Sequence, residues 1–241
     1  KLLIVLKVCL KKYFEQLFNF KLYRNSLPRG TNLGHDLKKL TSLPINEIWD
    51  VGAHKGETSL YFANEFPEAT IRSFEPISEN FDLLLQNCKK LENHHAHNFA
   101  LGNENTKTKI YLQGASVIHS LREDLNKPST EYSKSEEIEV KTIDYLLQKF
   151  SCNNIDLLKI DVEGYEPAVL KGASKSLENK CINFIYLETG LDLRFNSIET
   201  ISELLSPYGY LPYAFYEQTP HWTAKQNLWF WNTLFVREDL L

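Results

Sequence analysis

The strongest constraint on the fold is a glycine turn in the stretch IWDVGAHKGETS, from Ile48 to Ser59, between a short apolar run and a helical pattern. Glycines let the backbone approach a ligand, and the following helix offers unpaired N–H groups, so this arrangement is typical of nucleotide sites. A Walker loop is excluded, because Gly52 and Gly56 have one residue too few between them and Glu57 replaces the lysine. The dinucleotide fingerprint G-x-G-x-x-G fails as well, since two non-glycine residues follow Gly52.

The acids around this turn indicate which ligand it holds. Asp50 precedes the first glycine and Glu57 follows the second, and carboxylates at these positions would repel a triphosphate. They suit a ligand that carries positive charge and no phosphate at that point. S-adenosylmethionine combines a sulfonium, an ammonium and an adenosine, and it is therefore the predicted cofactor.

Composition favours one domain and gives no sign of a nucleic-acid partner. The chain has 241 residues, 43% of them hydrophobic, which is enough for one sizeable core. Its net charge is −4 and no lysine or arginine cluster persists along an element, so nucleic-acid binding is not expected. The four cysteines lie far apart without a C-x-x-C pair, which argues against disulfides and structural zinc and favours a cytoplasmic location.

Residues 1–43 are predicted to form a helical extension to a domain at 44–241. The segment 2–10 is apolar, but its nine residues include Lys7 and cannot span a bilayer. With the residues that follow it forms a basic amphipathic pattern. Such a helix is expected to dock on its own domain, and the alternative is peripheral contact with the inner face of a membrane or with a partner.

From residue 45 onward apolar runs alternate with helical patterns, which predicts an α/β fold around a parallel sheet. Core strands are predicted at 47–53, 70–75, 95–102, 154–164 and 181–188, and helices at 57–66, at 197–210 and after Ser78, which acts as the cap. In the helix after Ser78, apolar side chains recur at positions 81, 84, 85 and 88. The remaining predictions are a strand pair at 107–114 and 138–144, a polar loop at 122–137, a helix start at Pro167, and an antiparallel pair at 211–216 and 232–238.

Acidic residues end the predicted strands at the edge where open α/β sheets bind ligands. Glu75 ends the second strand, at about the distance in sequence from Gly52 at which an acid holds a ribose. Asp161 and Glu163 end the fourth strand, and Glu188 ends the fifth. Grouped together, these last three would favour a cationic ligand, bind a divalent ion or deprotonate an acceptor.

A lysine inside the fourth strand needs a partner, because an unpaired buried charge is strongly unfavourable. Lys159 lies in an apolar run, and Asp161 is on the same face of the strand. A purely structural Lys159–Asp161 pair is therefore an alternative to a ligand-binding role. It does not account for Glu163 and Glu188.

Several of these motifs resemble the FkbM-type S-adenosylmethionine-dependent methyltransferases. The matching stretches are DVGAHKGETS, SFEP, NFALG, HSL, and VKTIDYLL followed by IDLLKIDVEGYEPAVLKGA and YLE. The resemblance covers residues 44–236, and its most specific part is K-x-D-x-E-G-x-E from Lys159 to Glu166. It implies a Rossmann-like class I methyltransferase fold, with a mostly parallel seven-stranded sheet and an antiparallel last strand.

The resemblance also implies a set of cofactor contacts. Gly52, Ala53 and Gly56 would pack on the methionine part, Glu75 would hold the ribose, and Asp161 would lie near the methyl group. The cofactor-binding set is completed by Asp50, His54, Thr58, Pro76 and Ala100. FkbM-type enzymes are generally O-methyltransferases, so the expected acceptor is a hydroxyl of a sugar, a glycan or a natural product.

An alcohol must lose its proton on methylation, and several residues are candidates for the base. They are Glu163, Glu188, His54 and His119, the last of which stands where the family usually has asparagine. An imidazole has the more suitable unperturbed pKa, but a desolvated carboxylate also serves. A divalent metal between Asp161 and Glu188 is an alternative that is not favoured, because only two ligands can be named.

Two other functions stay open. A catalytically silent S-adenosylmethionine-binding module would keep the same cofactor site. A nicotinamide-dependent oxidoreductase would use Glu75 equally well, although the missing G-x-G-x-x-G weighs against it.

The acceptor is expected near the aromatic C-terminal region. The stretch YEQTPHWTAKQNLW at 216–229 is polar between its aromatics and too irregular for a strand, which predicts exposed rings. Because such rings suit a sugar, His221 and Trp222 are expected to border the acceptor. The alternatives are that these aromatics belong to the core and that the loop at 122–137 forms the acceptor site.

Overall fold

The structure of the protein is a computed structural model, and it describes residues 2–18, 27–112, 121, 134–191, 196–219 and 227–241. The helices are α1 (Leu2–Phe18), α2 (Leu33–Leu40), α3 (Glu57–Glu65), α4 (Ser78–Cys88), α5 (Ile143–Lys149), α6 (Glu166–Lys171), α7 (Ser174–Glu178) and α8 (Ile198–Leu205). The strands are β1 (Glu47–Val51), β2 (Thr70–Phe74), β3 (His94–His97), β4 (Ala100–Leu101), β5 (Thr106–Leu112), β6 (Lys134–Lys141), β7 (Ile155–Ile160), β8 (Ile182–Gly190), β9 (Tyr210–Thr219) and β10 (Phe230–Arg237).

The main sheet has seven strands in the order β3-β2-β1-β7-β8-β10-β9. Neighbouring strands from β3 to β8 are parallel, and β10 is antiparallel to both β8 and β9. The predicted Rossmann-like sheet with an antiparallel last strand is thus confirmed. The strand order reverses direction between β1 and β7, and ligands of such sheets bind outside the carboxyl ends at this switch point.

A second, three-stranded sheet has the order β4-β6-β5. Its β5 and β6 form the antiparallel pair that the sequence predicts. The single strand predicted at 95–102 is instead divided, because β3 joins the main sheet and β4 joins the second one. The predicted polar loop is too long by four residues at its end, since β6 begins at Lys134 and pairs there with Leu112.

Apolar side chains fill both faces of the main sheet. Trp49 and Leu158 pack with α5–α8 on one face, whereas Ile48 and Leu157 belong to the cluster on the opposite face. All four are fully buried. The alternation follows from the period of a strand, and it explains why adjacent residues of β1 and β7 are both apolar.

Helix starts differ from the sequence prediction in α5 and α4. The strand predicted at 138–144 ends at Lys141, and α5 begins at Ile143 because Thr142 caps it. Ser78 is the first residue of α4 rather than its cap, and Ile77 precedes the helix. The hydroxyl of Ser78 is used elsewhere, because it donates a hydrogen bond to Glu136 of β6. Leu85 is 47% exposed, so the apolar face of α4 is narrower than predicted. Pro167 does lie in the first turn of α6, as predicted.

The N-terminal region contributes to the core through α2, whose Leu33 and Leu37 pack in the same cluster as Ile48. In contrast, α1 exposes its large apolar side chains from residue 10 onward: Leu10, Tyr13, Phe14, Leu17 and Phe18. The expectation that this helix docks on its own domain is therefore not met over 10–18. No helix in the described ranges is long and apolar enough to cross a bilayer. The division of the chain at residue 43 stays a prediction.

Candidate functional site

A pocket of about 340 Å³ opens at the carboxyl ends of β1, β2 and β7. Eight of the ten positions predicted to bind the cofactor line it: Gly52, Ala53, His54, Thr58, Glu75, Pro76, Ala100 and Asp161. This is the switch point of the sheet, where the topology places ligands. We call it the cofactor pocket.

Gly52 is required by the close approach of β1 and β7 at the base of this pocket. Its φ is +74°, and a Cβ at this position would lie 1.8 Å from the backbone oxygen of Asp161. Its N–H donates to the carbonyl of Phe74 at 3.0 Å, and its own carbonyl accepts a hydrogen bond from Lys159 at 3.0 Å. The glycine thus lets three strand ends meet around one turn.

Glu75 is held in a fixed orientation at the end of β2. It is 4% exposed, and each carboxylate oxygen accepts a backbone hydrogen bond at 2.9 Å, one from His54 and the other from Ile77. Asn80 also bonds to its side chain. Burial raises the pKa of Glu75 to about 7, although these hydrogen bonds oppose the shift. An acid of this kind, in a pocket, is a candidate for ligand recognition.

Two of the predicted contact residues, Asp50 and Gly56, do not line the pocket. Asp50 is fully buried below it, where Ser59 donates a hydrogen bond to its carboxylate at 2.6 Å. Gly56 precedes α3 with φ +90°, and a Cβ there would lie 2.8 Å from both Cys88 and Leu84 of α4. The second glycine of the motif is therefore explained by helix packing rather than by a ligand.

Lys159 pairs with Asp161, as the sequence suggested, but its nearer partner is Asp50. Its ammonium lies 2.9 Å from a carboxylate oxygen of Asp50 and 3.7 Å from one of Asp161. The reason is strand register, because Asp50 and Lys159 are partners across β1 and β7. Burial favours the neutral amine, but the two aspartates outweigh it and raise the pKa of Lys159.

Of the three grouped carboxylates, Asp161 and Glu163 follow the end of β7, and Glu188 lies in β8. Glu163 is a lining residue of the cofactor pocket. Glu188 lines neither this pocket nor a second pocket that adjoins it. Burial first, and then the neighbouring carboxylates of Asp161 and Glu166, raise the pKa of Glu163 to about 7 and that of Glu188 to about 8. These acids can therefore take up and release protons near neutral pH.

The turn that presents Glu163 has an unusual backbone. Glu163 has φ +54° and Gly164 has φ +93°. Left-handed backbone at a residue with a side chain is unfavourable and persists where surrounding contacts enforce it. Here the enforcing contact is Glu166, which is fully buried, accepts a hydrogen bond from the N–H of Val162 at 3.0 Å, and bonds to Asn196.

Three predicted site residues, His119, His221 and Trp222, lie outside the described residues. Among the residues that are described, no group of three or more histidines, cysteines and acids is arranged to hold a metal ion.

A second pocket, of about 380 Å³, adjoins the first. The two share Glu57, Thr58, Lys159 and Asp161 as lining residues. The far wall of the second pocket carries Tyr61, Tyr186 and Tyr216, and we call it the tyrosine pocket. The tip of β7 is thus the place where the cofactor pocket and a further cavity meet.

The family of the chain is decided by a match to the family model described as the methyltransferase FkbM domain, which covers residues 50–212. The chain belongs to the FkbM methyltransferase family. The match begins at Asp50 and includes the glycine turn, Glu75 and the complete K-x-D-x-E-G-x-E run.

Curated relatives of this FkbM-family chain are remote. "Methyltransferase 1" of Beauveria bassiana is 28% identical over an alignment of 142 residues, and the match covers 52% of this chain and 57% of the relative. "Hexuronic acid methyltransferase AglP" of Haloferax volcanii is 27% identical over an alignment of 143 residues, and the match covers 58% of this chain and 54% of the relative. The chain thus spans little more than half the length of these relatives.

A solved structure supports the fold. The methyltransferase FkbM from Methylobacillus flagellatus superposes on 82% of this chain and 45% of its own, with a TM-score of 0.52 and 15% sequence identity. At this identity the likeness concerns the class I architecture, and it agrees with the strand order of the main sheet.

Glu57, which the sequence already placed beside the ligand, lines both pockets. Two other residues of the site were missed by sequence reasoning: Asn80 bonds to Glu75, and Glu166 clamps the turn after β7. Glu166 carries a signal in the sequence, because it closes the K-x-D-x-E-G-x-E run. Glu217 and Asn232 of the tyrosine pocket carry no local signal, since they come from strands far along the chain.

Proposed function

We propose that this FkbM-family chain is an S-adenosylmethionine-dependent methyltransferase that acts on a hydroxyl group of a sugar, a glycan or a natural product. The observation that supports this most is the cofactor pocket, with a preoriented carboxylate on one side and a cluster of proton-accepting carboxylates on the other.

The residues present suit S-adenosylmethionine. Glu75 has both carboxylate oxygens directed by backbone N–H groups, and each keeps acceptor capacity for a ribose hydroxyl. Gly52 has no side chain, so the space beside the strand ends stays open for the ligand. Asp161 and Glu163 provide negative charge for a cationic ligand. When bound, this cofactor supplies a methyl group on positively charged sulfur.

The chain's own contribution to the reaction would be orientation and proton removal. Glu163 lines the pocket and has a pKa of about 7, so at neutral pH its carboxylate is available to accept the hydroxyl proton of the acceptor. Asp161, which lines both pockets, would align the two ligands at the tip of β7.

The acceptor class is supported by one relative and by the chain's charge. The Haloferax volcanii relative is named as a hexuronic acid methyltransferase, which favours a sugar acceptor, although the identity is 27%. A net charge of −4 does not favour a nucleic-acid substrate. We also propose a cytoplasmic setting, which the wide separation of the four cysteines supports.

The function is tested by cofactor binding and methyl transfer. Calorimetry is expected to show binding of S-adenosylmethionine and none of NAD⁺. A panel of hydroxylated acceptors with labelled methyl donor is then expected to yield a labelled ether. Binding of NAD⁺ alone would replace the proposal by an oxidoreductase, and cofactor binding without turnover on any acceptor would indicate a silent module.

Glu75→Gln is expected to weaken S-adenosylmethionine binding about tenfold, because a neutral amide cannot replace a carboxylate that accepts ribose hydroxyls. In the wild type, the ionised fraction of Glu75 falls as the pH drops through its pKa of about 7. The dissociation constant is therefore expected to rise about tenfold from pH 8 to pH 6.

The measurement is calorimetry at both pH values, with the exposed Glu203→Gln as control for loss of one charge. The cofactor's own amine also titrates in this range, but only Glu75→Gln removes the part of the slope that Glu75 causes. Equal slopes in wild type and Glu75→Gln would exclude Glu75 from ribose binding.

Glu163→Gln is expected to lower kcat/KM about 100-fold, since general-base catalysis is worth at least that factor. Wild-type kcat/KM should rise with pH between about 6 and 8, because Glu163 and Glu188 lose their protons at about 7 and about 8. Comparing Glu163→Gln with Glu188→Gln identifies the base by the larger fall in rate. A Glu163→Gln rate equal to wild type would exclude Glu163.

A further inference from the structure

The tyrosine pocket reaches the same strand tip as the cofactor pocket and shares residues of α3 and β7 with it, but its other walls come from different elements. Its walls come from α2 and the residues before it, from α3, from the tip of β7, and from β8, β9 and β10. The shared residues Thr58 and Asp161 make it continuous with the cofactor pocket. The family resemblance implies that Asp161 lies near the methyl group, and a molecule in the tyrosine pocket would then face that group.

The phenols of this pocket are held by hydrogen bonds to two elements, α2 and β9. Tyr61 accepts a hydrogen bond from the N–H of Gly34 at 3.0 Å, and Tyr216 donates to Asp36 at 2.8 Å. Tyr186 and Tyr216 pack edge to face with ring centroids 5.6 Å apart. Rigid aromatic faces with polar tips suit a ring that is apolar on its faces and hydroxylated at its edge.

Glu217 enters this pocket because of an irregularity in β9. The pairing of β9 with β10 shifts register between Phe230 and Asn232, which leaves Glu217 and Gln218 opposite one residue. Glu217 also has φ +49°. Bulges redirect side chains and are frequent beside active sites, and left-handed backbone is retained at functional positions.

The carboxylate of Glu217 is oriented by neighbours that also line the pocket. It accepts a hydrogen bond from Asn232 at 2.6 Å and one from the hydroxyl of Tyr186 at 3.3 Å. It is exposed at the mouth of the pocket, so it keeps the capacity to accept further hydrogen bonds from a ligand.

The side chains that line the tyrosine pocket carry more negative than positive charge. Its described lining includes the carboxylates of Glu57, Asp161 and Glu217, and the single cation among these lining residues is Lys159. That cation is 5% exposed and is already paired with Asp50. Burial, together with the carboxylates of Glu65 and Glu217, raises the pKa of Tyr61, which is consistent with a negative field.

We propose that the tyrosine pocket holds the methyl acceptor and selects a hydroxylated ring that is neutral or carries an amine, against one that carries an acid. The inference rests on the proposed function and adds to it the charge that the acceptor carries. It separates this chain from the relative named for hexuronic acid, because a hexuronate would bring a fourth carboxylate next to Glu57, Asp161 and Glu217.

The test measures binding of three matched probes: methyl glucoside, glucosamine and glucuronic acid. Ligand-observed NMR gives their dissociation constants at pH 7.5, with and without S-adenosylhomocysteine. Glucosamine is expected to bind best, and glucuronic acid at least about tenfold more weakly, which corresponds to one unfavourable charge contact. Glu217→Gln should reduce the difference between these two probes at least about fivefold, while the exposed Glu203→Gln should not change it.

Failure of this inference is distinguishable from failure of the proposed function, because cofactor binding is measured separately. Glucuronic acid binding as tightly as glucosamine, a Glu217→Gln variant with the wild-type ranking, or no binding of any of the three probes would overturn the selectivity. Loss of discrimination in Glu217→Gln with unchanged S-adenosylmethionine affinity is the result that supports it.

Discussion

Lys159→Met is expected to lower the free energy of unfolding by about 3–5 kcal/mol, which is the usual cost of removing one member of a buried ion pair. Asp50 is fully buried, and Lys159 supplies its cation at 2.9 Å. The variant keeps a side chain of similar volume, so the loss measures an uncompensated carboxylate rather than a cavity. Urea denaturation followed by circular dichroism gives the difference.

The matched control is the double variant Asp50→Asn with Lys159→Met, which removes both charges. It is expected to recover at least half of the lost stability, because a neutral amide in place of Asp50 still accepts the hydrogen bond from Ser59. If Lys159→Met alone lies within about 1 kcal/mol of wild type, the pair is not a major stabilising element of the sheet.

The Lys159–Asp50 pair shows which features of this fold could be predicted from the sequence. The strand containing Lys159 could be predicted from its apolar run, and so could the need for a partner. The identity of that partner could not, because Asp50 lies on a neighbouring strand and its alignment depends on the register of β1 with β7. Asp161, which is near along the sequence, does pair with Lys159, but at 3.7 Å it is the more distant of the two partners.

The cofactor pocket was predictable to a greater extent than the tyrosine pocket. Gly52 and Glu75 belong to one strand–turn–helix–strand unit, so local sequence spacing carries their relation. Tyr216 and Asp36 are 180 residues apart, and Glu217 points inward only because β9 bulges. Neither fact leaves a local pattern. The sequence therefore predicted an irregular segment from residue 216, whereas β9 continues to Thr219.

Gly52→Ala is expected to reduce stability by about 2–5 kcal/mol and to weaken S-adenosylmethionine binding about tenfold or more. Two effects combine at this position. An L-residue at φ +74° is strained, and the added Cβ would lie 1.8 Å from the backbone oxygen of Asp161. Because that neighbour is backbone, β1 and β7 must separate, and the base of the cofactor pocket opens.

Gly209→Ala provides the comparison that isolates the second effect. Gly209 has φ +80°, but a Cβ there would meet nothing within 4 Å. The Gly209→Ala variant should lose only about 1–2 kcal/mol of unfolding free energy, which is the cost of left-handed backbone. It should bind the cofactor as wild type does. Thermal and urea unfolding with calorimetry of both variants decide the matter. If Gly52→Ala loses no more stability than Gly209→Ala and keeps its cofactor affinity, the close approach of the strand ends is not what requires glycine at this turn.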